Sequence, residues 1–176
     1  MRLFNNKTKY GLVAIVFHWI TFFILLFQIP LGFYLEDLEF SDFKMSVEYY
    51  HSILGVIIFY IILFRLIWKS LNASPLDSNQ VKSWQLVISK INHWLLYISL
   101  LTISISGILK KLLSGEEVNF IFKSVSLDYF NFEIVNISER VHSSSVILLI
   151  VLIIIHILAV VYHHIFLKEP ILKKIS

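Results

Sequence analysis

The sequence predicts an all-α integral membrane protein, a bundle of four helices that cross the bilayer. Three observations support this prediction. Apolar residues make up 57% of the 176 residues, and the chain has only five glycines and three prolines, unlike an ordinary soluble domain. Four stretches are also long enough to cross about 30 Å of hydrocarbon at about 1.5 Å per residue. These stretches are residues 11–35, 49–68, 91–109 and 141–167.

The first stretch must be distinguished from a secretory signal peptide. It runs beyond the usual apolar region of such peptides and lacks a small-x-small cleavage site, so we interpret it as a true span. No Ser/Gly/Pro-rich linker separates the two halves, and residues 1–176 are therefore predicted to form a single membrane domain. The longest insert, about 113–139, is rich in aromatic residues and is expected to be an ordered loop over the outer face.

Basic residues indicate the orientation of the chain. The N-terminus, the middle connection with its flanks and the C-terminus hold ten of the fifteen: Arg2, Lys7, Lys9, Arg65, Lys69, Lys82, Lys90, Lys168, Lys173 and Lys174. The first outer connection is acidic instead. Because Lys and Arg favour the cytoplasmic side, both termini are predicted to be cytoplasmic. The chain is expected to contact membrane lipid and to bind no nucleic acid.

Cysteine is absent from the chain. This absence excludes disulfides, thiolate metal sites, iron–sulfur ligation and the covalent attachment of c-type haem. Any haem would be held without a covalent bond to the protein.

Histidines fall within or at the edges of all four spans. They are His18, His51, His93, His142, His156, His163 and His164. A single intramembrane histidine is usually satisfied by a hydrogen bond between helices. Several of them, on every helix and without acidic partners, favour cofactor ligation. On the last helix, His142, His156 and His163 are separated by 14 and 7 residues, which keeps them on one face in a left-handed bundle.

Two sites at different depths follow from the spacing. His142 and His156 lie about 21 Å apart along the helix axis, too far to share one metal. Counting from the nearest charged residue pairs His18 with His156 on the cytoplasmic side and His51 with His142 near the outer surface. Two imidazoles on facing helices suffice for b-type haem, which supplies its own four equatorial nitrogens. Two haem b groups are therefore predicted.

Other residues near these pairs are candidate cofactor contacts. The same counting places His93 and His163 together in a shallower cytoplasmic layer. Arg65 is a candidate partner for a haem propionate, with a snorkelling interfacial arginine as the alternative.

Glycines lie at the depth of the outer pair. A weak repeat, His-Trp followed by glycine fourteen residues after the histidine, occurs at His18, Trp19 and Gly32 and again at His93, Trp94 and Gly107. Each glycine lies about 21 Å from its histidine, where a missing side chain would make room for a porphyrin. Gly55, on the same helix face as His51, is expected to serve the same purpose. Close helix packing through glycine is the alternative.

Together these residues resemble the bacterial cytochrome b561 family over essentially the whole chain. The residues that carry the resemblance are His18-Trp19, His51-x-x-x-Gly55, Arg65, His93, Gly107, His142, His156 and His163-His164. The resemblance implies a di-haem b protein of the bacterial inner membrane with His18, His51, His142 and His156 as iron ligands.

The member type superoxide:ubiquinone oxidoreductase further implies that superoxide donates an electron at the outer haem and that ubiquinone is reduced near the cytoplasmic side. Arg140, which adjoins the outer pair, would attract the superoxide anion, with Lys44 and Lys123 as further candidates. His163 would hydrogen-bond a quinone carbonyl and deliver a proton. His93 and His164 are alternative quinone contacts.

The chain also departs from the family pattern. Trp and Glu usually flank the histidine at the start of the last span, where this chain has Val141 and Ser143, and a Pro often precedes the glycine at Gly107. Two other functions therefore stay open. One is a cytochrome b subunit that relays electrons between a partner dehydrogenase and quinone, and the other is a metal-ion transporter.

Overall fold

The computed structural model describes residues 2–76 and 81–168 and contains four long helices and one short hairpin in that part of the chain. The helices are α1 (Leu12–Asp37), α2 (Asp42–Leu71), α3 (Ser83–Leu113) and α4 (Phe132–Ile165), and the strands are β1 (Val118–Asn119) and β2 (Ser124–Val125). Each helix is long and apolar enough to cross a membrane. The predicted four-helix membrane architecture is confirmed. The basic residues Lys173 and Lys174 lie outside the described residues.

The helices run antiparallel, so the bundle has two distinct ends. We call the end where α1 begins and α4 finishes the terminal end, and the end with β1 and β2 the hairpin end. The helix limits exceed the predicted spans, most of all in α4, which starts at Phe132 instead of residue 141. Asn131 explains the earlier start, because its side-chain oxygen accepts a hydrogen bond from the Ile134 amide (3.1 Å) and caps the helix.

In α1 the most buried side chains are polar, and large apolar side chains face outward. The buried residues of α1 are Thr21 and Gln28, whereas Phe23 and Phe27 are 54% and 68% exposed. Lipid tails are as apolar as these phenylalanines, so burying them inside the bundle would gain little. Small polar residues instead let the helices approach closely, and those buried in α3 and α4 are Ser99, Ser104, Ser106 and Ser138.

Helix packing leaves one side of the bundle open. Helix α3 packs extensively on α4, α1 packs on α2, and α2 packs on α3, but within the described residues neither α1 nor α2 packs closely against α4. The central core cluster is formed by Ile58, Ile62, Leu100 and Leu149. A space therefore separates α4 from the first two helices on either side of this cluster.

The hairpin lies against the surface of α2 and α3. Val118 pairs with Val125 across the two strands and is fully buried. The Tyr60 hydroxyl, in the middle of α2, donates to the Phe120 carbonyl at 3.5 Å. The predicted outer loop therefore includes a two-stranded ribbon whose tip runs back along the bundle.

The N-terminal segment folds over the terminal end. The Leu12 amide donates to the Arg2 carbonyl (2.9 Å), the Asn5 side chain donates to the Ala73 carbonyl (3.0 Å), and the Phe4 ring stacks on Trp68 with centroids 5.3 Å apart. Gly11 permits this fold because a Cβ there would overlap the backbone of the same segment. The start of α1 is thereby attached to the end of α2.

Gly11→Ala should release the N-terminal segment from the bundle. The new methyl cannot be accommodated next to backbone atoms, so amide hydrogen exchange at Leu12 and Leu76 should accelerate at least about tenfold, the change for about 1.4 kcal/mol. Both amides donate to carbonyls of residues 2–7. Gly55→Ala is the control, because the atom nearest that Cβ position is 3.8 Å away, an ordinary contact. Unchanged exchange in Gly11→Ala would show that the segment is not held this way.

Candidate functional site

Two pairs of histidines face each other across the open side of the bundle. The rings of His18 in α1 and His156 in α4 have centroids 6.4 Å apart, and those of His51 in α2 and His142 in α4 are also 6.4 Å apart. We call these the terminal-end pair and the hairpin-end pair. The structure thus brings together the two pairs that were predicted from depth.

The ring separations suit a metal held between two imidazoles. Two rings that bind one metal from opposite sides, each with a bond of about 2.0 Å, have centres about 6.3 Å apart. No group of three or more His, Cys, Asp or Glu residues is placed to hold a bare ion in residues 2–76 and 81–168. Haem needs only two protein ligands, because its macrocycle supplies the other four. The donor set therefore fits haem b.

The proton on His142 can be assigned from its hydrogen bond. Its Nδ1 lies 2.9 Å from the Ile103 carbonyl, and a carbonyl only accepts, so Nδ1 is the donor. The Ser106 hydroxyl is a more distant neighbour at 3.5 Å. The free lone pair is consequently on Nε2, the nitrogen left to bind a metal, and the ring orientation is fixed from behind.

Glycines make room for the imidazoles of the hairpin-end pair. A Cβ at Gly32 would lie 3.2 Å from the His51 ring, and a Cβ at Gly107 would lie 3.2 Å from the His142 ring. The space predicted for a porphyrin beside these two glycines is thus occupied by ligand rings. At Gly55 the nearest atom is instead the Gln28 amide nitrogen, 3.8 Å away, an ordinary contact.

Arg65 points into the bundle at the terminal-end pair. Its guanidinium donates to the Thr21 hydroxyl (2.9 Å), makes a long contact of 3.4 Å with His18 Nδ1 and lies over the Tyr97 ring at 5.6 Å. These contacts disagree with the alternative of a snorkelling side chain. A cation therefore stands beside one histidine of the pair.

His93 lies deeper than predicted. Its ring centroid is 5.2 Å from that of His156, which places it at the level of the terminal-end pair instead of a shallower layer with His163. Counting from Lys90 was misleading because α3 already begins at Ser83. Lys90 is thus part of the helix and does not mark its end.

The repeat in the sequence is more extensive than the His-Trp-glycine pattern. Fourteen residues also separate His51 from Arg65 on α2 and His142 from His156 on α4. Arg65 therefore occupies on α2 the position of His156 on α4. Within the repeat, Gln28 corresponds to Ile103, since each follows the histidine of its His-Trp pair by ten residues. Sequence reasoning missed Gln28, although an amide in an otherwise apolar span was the available signal.

The remaining predicted site residues lie outside both pairs. Arg140 is exposed two residues before His142, and His163 is half-buried seven residues beyond His156, next to the exposed His164. Lys44 donates to the Leu38 carbonyl (2.6 Å) and so caps the end of α1. Lys123 is exposed on the hairpin.

Comparison with known proteins identifies the family of the chain. The cytochrome b561 homolog 2 of Escherichia coli (strain K12) is 24% identical over 121 residues, which cover 68% of this chain and 64% of the relative. The chain thus spans slightly less than two thirds of that relative. The profile described as prokaryotic cytochrome b561 matches residues 9–176. With its four membrane-spanning helices, the chain therefore belongs to the prokaryotic cytochrome b561 family, whose members are membrane proteins that bind haem b and transfer electrons.

Proposed function

We propose that this protein carries electrons through two haem b groups, one held by each histidine pair, between a donor at the hairpin end and ubiquinone near the terminal end. The main observation that supports this proposal is the ring separation of 6.4 Å in both pairs, which suits a metal held between two imidazoles. The pairs lie about 21 Å apart along α4. When bound, the haem iron supplies one-electron ferric–ferrous chemistry.

The histidines determine which chemistry is available. Two histidines would hold each haem, which would leave the iron no open position for dioxygen and would favour exchange of electrons without oxygen binding. The Ile103 carbonyl keeps the Nε2 lone pair of His142 available and makes this imidazole a stronger donor to the metal. Outward-facing apolar side chains keep water and ions away from both pairs.

Arg65 is proposed to bind a haem propionate. A guanidinium only donates, so its contact with His18 Nδ1 requires the ring proton on Nε2. Binding iron through Nε2 requires the opposite tautomer, and Arg65 must therefore release Nδ1. A carboxylate close by is a stronger partner for Arg65 than a neutral imidazole, so a propionate would favour that release.

We further propose that the terminal end is cytoplasmic and that the protein lies in a bacterial inner membrane. Arg2, Lys7 and Lys9 are at the terminal end, together with Lys69 and Lys82. Such a bias sets the orientation of membrane proteins. The donor would then be met on the outer side, and the reduced quinone would take its protons from the cytoplasm.

Superoxide is the proposed donor, with exposed Arg140 as its point of approach beside His142. The neighbouring cations Lys110 and Lys111 are already paired, with Glu139 at 3.0 Å and Glu116 at 3.2 Å. This pairing leaves Arg140 as the more available positive charge. Attraction of a small anion by an exposed charge depends on salt concentration, which provides a test of this part of the proposal.

A single substitution of a histidine in either pair should remove one of the two haems. Purified protein is expected to show two haem b per chain in a reduced-minus-oxidised visible spectrum, and His51→Ala and His156→Ala should each show one, since a lost axial ligand leaves the iron with a single protein bond. His164→Ala is the control because its side chain is exposed. A wild-type protein without haem, expressed with haem available, would refute the proposal.

Gly107→Ala should weaken the hairpin-end site. The new Cβ lies 3.2 Å from the His142 ring, and overpacking of this kind costs about 1–3 kcal/mol, so haem loss from one site should accelerate about fivefold or more. Gly55→Ala is the matched control, since its Cβ meets only an ordinary contact at 3.8 Å. Equal haem retention in the two variants would contradict the assigned role of Gly107.

His163→Ala should slow quinone reduction while both haems stay in place. A hydrogen bond to a bound carbonyl contributes about 1 kcal/mol, so the second-order rate with a soluble ubiquinone should fall about fivefold or more. The protein would be prereduced, and haem oxidation followed by stopped flow, with His164→Ala as the control. A rate in His163→Ala equal to that of the wild type would exclude His163 as the quinone contact.

Arg140→Gln tests the donor separately. Haem reduction by a pulse of superoxide should become slower, and less sensitive to salt, than in the wild type. If superoxide fails to reduce the wild-type haems at any salt concentration, the donor is a different molecule, although the haem and quinone parts of the proposal would stand.

A further inference from the structure

Two complementary polar atoms lie next to the hairpin-end pair. Gln28 Oε1, an acceptor, and His51 Nδ1 are both buried, and neither has a hydrogen-bond partner among the residues that the structure describes. The Gln28 side chain already contacts the His51 backbone, because Gln28 Nε2 donates to the His51 carbonyl at 2.8 Å. An unpaired buried polar atom costs about 1–3 kcal/mol. Each of these atoms can supply the partner that the other lacks.

The second half of the chain shows what His51 is missing. His142 Nδ1 donates to the Ile103 carbonyl at 2.9 Å, and Gln28 is the residue that corresponds to Ile103 in the repeat. In the second half a backbone carbonyl orients the ligand ring. In the first half, a residue whose side chain carries a carbonyl oxygen occupies the corresponding position.

Gln28 has little freedom to leave His51. Its side chain is buried, with only 8% of the residue exposed, and its amide nitrogen lies 3.8 Å from the Cβ position of Gly55 on α2. The His51 ring is confined in turn by Gly32, whose Cβ position lies 3.2 Å from the ring. Because the amide is held at His51, reorientation of the amide or one buried water is the route that would connect Oε1 with Nδ1.

We propose that Gln28 is a positioning residue for His51, whose Nδ1 proton is accepted by Gln28 Oε1 directly or through one water, leaving Nε2 free for iron. This inference rests on the proposed function, because it concerns a haem ligand. An acceptor on Nδ1 makes the imidazole a stronger donor to the metal and so stabilises ferric over ferrous iron. Gln28 thereby lowers the reduction potential of the hairpin-end haem and favours electron transfer away from it.

The test is a redox titration of the Gln28→Met variant, which keeps the side-chain length but has no strong acceptor. At a given potential, the ferrous-to-ferric ratio of the hairpin-end haem should rise about tenfold, which is about 59 mV for one electron. The terminal-end haem should not change. Leu25→Met is the matched control, since Leu25 packs against the core one turn earlier on α1. The His142→Ala variant identifies which signal belongs to the hairpin-end haem.

Electron paramagnetic resonance of the ferric protein supplies a second measurement, because its g values depend on the orientation of the axial rings. In Gln28→Met they should change for the hairpin-end haem alone. An unchanged potential and unchanged g values in Gln28→Met would overturn the inference, as would the same changes in Leu25→Met. A wild-type protein without haem would instead refute the proposed function, so the two failures are distinguishable.

A variant that loses the haem entirely is also informative. If Gln28→Met does not retain the hairpin-end haem, Gln28→Glu is measured, because it restores a carbonyl-type acceptor at nearly the same volume. Haem retention in Gln28→Glu would support the role of the acceptor oxygen. Loss of the haem in both variants would mean that Gln28 acts through its donor bond to the His51 backbone, and the inference would be wrong.

Discussion

Imidazole rings held 6.4 Å apart across a space between helices are the constraint on which the bundle depends. Direct packing of α1 or α2 on α4 would close this space and bring the rings too near each other for a metal between them. The chain avoids direct packing by joining its helices in sequence, each to the next. The extensive contact between α3 and α4 holds α4 in place without drawing it toward α1.

Glycine and serine satisfy this constraint in different ways. Gly32 and Gly107 allow a ring from the neighbouring helix to approach the backbone, whereas the buried serines of α3 allow α4 to approach closely. In hydrocarbon, close approach is a main source of helix association, because burying leucine or phenylalanine away from lipid gains little. Many large apolar residues of the chain therefore face outward, while small and polar residues join the apolar core cluster in the interior.

The fold and the histidine pairs could be predicted from the sequence because both depend on spacing along helices. Fourteen residues between His142 and His156 give two depths whatever the side chains do, and charged residues near the ends of spans indicate which histidines share a depth. The same counting misplaced His93, because α3 starts before Lys90. Distance to a charge indicates depth only where that charge marks the end of the helix.

Contacts between side chains could not be predicted from the spacing of residues along the helices. The Gly55 position suggested room for a cofactor, but the nearby group is the Gln28 amide, and only the three-dimensional arrangement shows which side chain fills a gap. The equivalence of Arg65 and His156 was present in the sequence as a second interval of fourteen residues. The structure explains this equivalence, because Arg65 and His156 both lie at the level of His18.

The paired histidines are divided between the two halves of the bundle, α1 with α2 and α3 with α4, and this division has a consequence for biogenesis. His18 and His51 belong to the first hairpin, α1 with α2, whereas His142 and His156 both belong to α4 in the second. Each pair takes one residue from each hairpin, so a truncated product ending before α4 contains no complete ligand pair. Under the proposed ligation, haem insertion would have to follow synthesis of α4, and the cofactor would then link the early and late parts of the chain.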